Sequence, residues 1–148
     1  MLKDDTKISI PGGDTTIDFI VNNFSLSAET VIESYDQENE CVVNQPVCLT
    51  QASSNKDFMM IRTEKHELMI TLDQKLYVYD ESRWIAAKSL KKGMMLLSRD
   101  DDPCEVVELM HVRDEGLSRV YSLSVAEQTN FYANGILIHS PNTGACDE

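Results

Sequence analysis

Asn130-Phe131-Tyr132-Ala133-Asn134-Gly135-Ile136-Leu137-Ile138-His139-Ser140 is the stretch whose reading decides the fold. Two short apolar runs, Phe131-Tyr132-Ala133 and Ile136-Leu137-Ile138, flank Asn134-Gly135. Asn and Gly tolerate the positive φ that a two-residue hairpin turn demands at both central positions, and the twist of that turn matches the strands it joins. The chain therefore closes on a β-hairpin. Just upstream, Val120-Tyr121-Ser122-Leu123-Ser124-Val125 alternates apolar and polar residues, as a half-buried strand does.

Working outward, the same period recurs along the whole chain. Strands are predicted over residues 7–10, 30–35, 41–51, 58–63, 67–71, 76–79, 83–85, 94–97, 105–113 and 119–126, with polar or Gly/Pro-bearing turns between them. Residues 52–57 read as a polar connection, 64–66 as a hairpin turn and 100–103 as an acidic turn. Ile17, Ile20, Val21 and Phe24 fit one face of a short helix. Residues 86–92 read as a helical turn or two, stopped by Gly93. Many short strands at close spacing predict an all-β fold.

Four blocks in order resemble those of inteins and hedgehog-type Hint domains, which cut and rejoin their own peptide bonds. The opening Met1-Leu2-Lys3-Asp4-Asp5-Thr6-Lys7-Ile8-Ser9-Ile10-Pro11-Gly12-Gly13 is similar to the family's start, where a nucleophile precedes a strand and a Gly-rich turn. Leu68-Met69-Ile70-Thr71-Leu72-Asp73-Gln74-Lys75 resembles the block that carries a Thr and, three residues on, a His. Trp84-Ile85-Ala86-Ala87-Lys88-Ser89-Leu90-Lys91-Lys92-Gly93 resembles the segment that follows it. The closing hairpin and the Val120–Val125 run complete the set. The resemblance implies a horseshoe-like Hint fold over residues 1–140, with residues 141–148 as a polar tail. It also implies that the two ends lie together, with Ile8 and Ile138 on adjacent strands.

The resemblance further implies a set of chemical positions. A Cys or Ser opens the domain and attacks the preceding carbonyl; here the position holds Met1, whose thioether has no proton to lose. A central Thr and His polarise the scissile amide and protonate its leaving nitrogen. The Thr is present as Thr71, while the His position holds Gln74, which cannot shuttle protons near neutral pH. Positions often held by Asp and His fall on Ser122 and Thr129. The penultimate His is His139. The terminal Asn that would cyclise falls on Ser140, and the acyl acceptor falls on Pro141.

Bland readings stand beside these. Thr71 also fits a strand end satisfying backbone groups, and His139 fits a packed, hydrogen-bonded histidine. His66 and His111 read as turn and surface residues. Ser122 lies where some relatives carry an alternative nucleophile, but those relatives also need an acceptor at the position of Pro141. The expectation is an autoprocessing domain that has lost splicing, or retains only residual cleavage. The alternatives are a non-catalytic Hint-fold spacer or protein-binding module, and a deliberately inactivated form of an active intein. Flanking host-protein segments in cis are the implied partners.

Composition bounds the remaining classes. The chain has 148 residues, enough for one domain with a single core. A net charge of −12 opposes phosphate backbones, so no nucleic-acid partner is expected; the small basic group of Lys88, Lys91 and Lys92 reads as a solvated turn. No apolar run reaches the roughly 18 residues of a membrane helix, and no signal-peptide core follows the first charges. No zinc-type Cys spacing or nucleotide motif occurs, so neither metal nor cofactor is expected. The reading is a monomeric, intracellular, cytoplasmic protein with reduced thiols, although a Cys41–Cys48 hairpin disulfide across Asn44-Gln45-Pro46 is conceivable.

Overall fold

The computed structural model describes residues 1–25, 27–100 and 102–141. Strands dominate, in the order β1 (Leu2–Lys3), β2 (Lys7–Ile10), β3 (Gly13–Thr16), helix α1 (Ile17–Asn23), β4 (Val31–Asp36), β5 (Cys41–Arg62) and β6 (Glu67–Thr71). They continue as β7 (Lys75–Val78), β8 (Arg83–Ala86), β9 (Met95–Leu97), β10 (Pro103–Glu105), β11 (Glu108–Val125), β12 (Asn130–Ala133) and β13 (Ile136–His139). One sheet runs β11-β1-β6-β5-β4, with β11 also paired to β5. The other runs β10-β9-β7-β13-β12-β2-β3, with β8 beside β7.

The closing hairpin forms as its sequence requires. Asn134 and Gly135 take φ of 48° and 83°, and Phe131 faces Ile138 across the pair. The turn is held from outside as well. The Asn134 backbone N–H donates to the Lys7 carbonyl, its side-chain oxygen accepts from the Lys7 N–H, and its side-chain amide donates to the Glu67 carbonyl. Helix α1 has the expected apolar face: Ile17 and Ile20 are buried, Val21 and Phe24 pack beside them, and the Thr16 hydroxyl caps the first turn by accepting from the Phe19 N–H.

Four sequence expectations change. Residues 52–57 are not a connection: β5 runs unbroken through them, because Ala52 to Asn55 ladder onto Tyr121 to Ser118. Polar, low-propensity residues become strand where a partner strand completes their backbone hydrogen bonds. The strands predicted over 105–113 and 119–126 run on as one, β11, from Glu108; each flank ladders onto β5, while Asp114 to Leu117 bridge a register break between Arg113 and Ser118 without partners in β5. Pro103 starts β10 rather than ending a turn, a strand position that needs no donated ladder bond; Asp101 of that predicted turn lies outside the described residues. Ile8 and Ile138 are not on adjacent strands. Ile8 pairs with Ala133 and Ile138 with Leu76, so β12 stands between β2 and β13.

The main core joins both sheets through Leu2, Ile8, Ile61, Leu68, Ile70, Leu76, Leu123, Phe131 and Ile138. Leu2 matters most for the site. It is buried between Tyr121 of β11 and Ile70 of β6, so the start of the chain is pinned by apolar burial one residue away from the polar cleft described below. Cys41 and Cys104 are free thiols, so the Cys41–Cys48 bridge is not formed.

Candidate functional site at the chain ends

The tight turn Thr71-Leu72-Asp73-Gln74 builds the site. β6 ends at Thr71, the Gln74 N–H donates back to the Thr71 carbonyl at 3.1 Å, and β7 starts at Lys75. The turn therefore presents Thr71, Asp73 and Gln74 from one short span. The Met1 carbonyl accepts from the Thr71 N–H at 3.0 Å. The Met1 nitrogen donates to Thr71 Oγ1 at 2.7 Å and to Gln74 Oε1 at 2.8 Å. Thr71 Oγ1 in turn donates to Asp73 Oδ1 at 2.9 Å.

Gln74 then reaches the other end of the chain. Its Nε2 donates to the His139 carbonyl at 2.7 Å and to the Lys75 carbonyl at 3.1 Å. One side-chain amide thus straps residue 1 to residue 139. The orientation of the amide is fixed by its partners: reversed, its NH2 would meet the donating Met1 nitrogen and its oxygen would meet two carbonyls.

His139 sits half-buried with its ring edge-on to Trp84, centroids 5.1 Å apart. Burial, and then the Lys75 ammonium, hold its imidazole below the usual histidine pKa. Burial likewise pushes the Met1 α-amino group from 8.0 down to about 6, against the pull of the Asp73 carboxylate. Ser122 is buried across from Gln51 and shares with Met1, Asp73, Gln74, Lys75, His139 and Pro141 the lining of one shallow cavity of about 240 Å3. Ser140 is fully buried; its N–H donates to the Thr129 carbonyl at 2.8 Å, and its hydroxyl has no hydrogen-bond partner among the described residues. The Pro141 carbonyl accepts from Ser124 Oγ at 3.1 Å.

The expected meeting of the two ends is therefore realised, and seven of the eight singled-out positions lie at one place: Met1, Thr71, Gln74, Ser122, His139, Ser140 and Pro141. Thr129 joins them through its backbone alone. His66 and His111 lie elsewhere, His66 in the β5–β6 turn and His111 on the surface beside Asp57.

Comparison with solved structures gives the same architecture. The chain is similar to a bacterial intein-like domain from Clostridium thermocellum, at TM-score 0.79 and 18% identity, covering 95% of this chain and 99% of that one. A DnaB intein from Synechocystis sp. PCC 6803 is similar at TM-score 0.80 and 18% identity, covering 95% and 98%. The PabCDC21-1 intein is similar at TM-score 0.74 and 21% identity, covering 95% and 98%. The chain has the intein fold. No protein-family model and no curated protein matches its sequence.

Within this intein fold, three residues contribute that the sequence reading left out. Asp73 holds the Thr71 hydroxyl and raises the Met1 amino pKa against burial; an Asp two residues after a strand-ending Thr is a turn signal that could have found it. Trp84 fixes one side of the His139 ring. Buried Asn130 mimics a strand partner for β4, its Oδ1 accepting from the Tyr35 N–H at 2.7 Å and its Nδ2 donating to the Tyr35 carbonyl at 3.0 Å. Among the described residues there is no group of three or more His, Cys, Asp or Glu placed to hold a metal ion, and no helix long and apolar enough to cross a membrane.

Proposed function

We propose that this chain is an intein-like autoprocessing domain whose splicing chemistry has been lost by substitution, leaving at most limited cleavage, and that it acts on flanking segments of its own polypeptide. The observation that carries this reading is the Gln74 strap. The geometry of a self-processing centre is kept, since residue 1 and residue 139 share one side chain. The chemistry is not. Gln74 offers Met1 an acceptor where leaving-group departure needs an acid, and an amide does not titrate near neutral pH. Met1 has no nucleophilic proton, Ser140 has no side-chain amide to cyclise, and Pro141 has no nucleophile to accept an acyl group. His139, kept neutral by burial, is the surviving proton carrier.

Restoration tests the reading. In a fusion with an upstream protein, Met1→Cys with Gln74→His is expected to give thiol-dependent cleavage at the upstream junction. Met1→Cys alone is expected to be slower by about a hundredfold, the usual contribution of one positioned acid–base group. A folded double variant with no cleavage above the parent would instead favour a non-catalytic spacer or binding module.

A further inference from the structure

The His139–Ser140 peptide bond is set up for attack by its own serine. Ser140 is 0% exposed, yet its Oγ has no hydrogen-bond partner among the described residues. Leaving a hydroxyl buried and unpaired costs about 1–3 kcal/mol, so its burial asks for another use. A hydroxyl on one residue reaches the carbonyl carbon of the residue before it through a five-membered ring. The carbonyl in question, that of His139, already accepts a hydrogen bond from Gln74 Nε2 at 2.7 Å. On the other side of the same bond, the Ser140 N–H points at the Thr129 carbonyl at 2.8 Å. The amide thus has a donor on its oxygen and an acceptor at its nitrogen.

We propose that Ser140 carries out an N-to-O acyl shift on the His139–Ser140 bond, followed by hydrolysis, so that the chain can cut itself before Ser140. This rests on the autoprocessing reading above and deepens it by naming the bond and the nucleophile. Ser140 Oγ adds to the His139 carbonyl carbon, and the oxyanion that develops is held by Gln74 Nε2. The C–N bond then breaks, and the hydroxyl proton ends on the Ser140 nitrogen, which becomes an amine facing the Thr129 carbonyl. The product is an ester linking the His139 acyl group to Ser140 Oγ. Water from the cavity lined by Met1, Gln74, His139 and Pro141 then hydrolyses the ester. A carboxylate is left on His139 and a free hydroxyl on Ser140. No oxidant, metal or cofactor is consumed. Here Gln74 serves the bond at residue 139, a role distinct from the proton transfer at residue 1 that it cannot perform.

The test is mass spectrometry of the full chain, incubated with and without neutral hydroxylamine, which traps esters as hydroxamates. The expected result is slow release of residues 140–148, with the 1–139 fragment bearing a hydroxamate when hydroxylamine is present. Ser140→Ala should abolish both. Ser140→Cys should form a thioester and make the cut sensitive to added thiol. Gln74→Leu should slow the cut by about a hundredfold or more, the usual cost of losing an oxyanion donor, with circular dichroism confirming that each variant is folded. An uncut parent and an uncut Ser140→Cys variant would overturn the proposal. So would a cut after Ser140, or a cut that persists in Ser140→Ala. These results leave the splicing question untouched, because ligation of flanking proteins is read only in fusions.

Discussion

Acidifying the protein should destabilise it through the Met1 amino group. Burial lowers that group from 8.0 to about 6. In the folded state it is neutral at pH 7, donating to Thr71 Oγ1 and Gln74 Oε1; in the unfolded state it is mostly protonated there. The unfolded chain therefore binds more protons between pH 8 and pH 6, and stability must rise with pH across that window and fall on acidification. Two pH units at about 1.36 kcal/mol each set a ceiling of about 2.7 kcal/mol, of which about 2 kcal/mol is lost between pH 8 and pH 6. His139, also held low by burial, adds loss of the same sign as pH falls through the histidine range. The assay is urea unfolding of the chain beginning at Met1, at several pH values, beside the same chain with an acetylated N-terminus. The acetylated form lacks the titrating amine and isolates its share. Equal pH slopes for the two forms, or stability that rises on acidification, would refute the reasoning.

Two other perturbations test how the hairpin and its neighbours hold the site. Gly135→Ala places a Cβ 2.5 Å from His66 Cε1 at a residue with φ of 83°, so thermal unfolding should show a loss of about 1–3 kcal/mol. Asn130→Leu leaves the Tyr35 N–H and carbonyl without their side-chain partner in a buried setting; denaturant unfolding should show a loss of about 2–4 kcal/mol, larger than that of Asn39→Leu on the exposed turn where Asn39 Nδ2 bonds Asp36.

The hairpin, helix α1 and the alternating strands were legible because each is decided locally, by a turn dipeptide, an apolar face or a period of two. The continuous β5 and β11 were not. Ala52 to Asn55 carry no strand signal of their own, and only their ladder onto Ser118 to Tyr121 makes them extended; the residues around Gly116 bridge a register break with no partner in β5. The site divides the same way. Thr71, Gln74 and His139 were legible from block spacing. The direction of the Gln74 amide and the Ser140 hydroxyl left without a partner among the described residues were not, because both depend on which backbone groups the fold brings opposite them. Asp73 falls between these cases: its turn was readable, its pull on the Met1 amine was not.

Splicing itself is the most direct test of the account. With the domain placed between two test proteins, intact-mass measurement after a day with and without thiol should show precursor and, at most, slow cleavage products near His139 and Ser140. The two flanking proteins should never appear joined. On the proposed reading Met1, Ser140 and Pro141 would each remove a different step, so no single condition should rescue ligation. A ligated product lacking the domain would contradict the account outright, because the proposed function assigns the nucleophile, cyclising and acceptor roles to positions held by Met1, Ser140 and Pro141, which carry none of the groups that reaction needs.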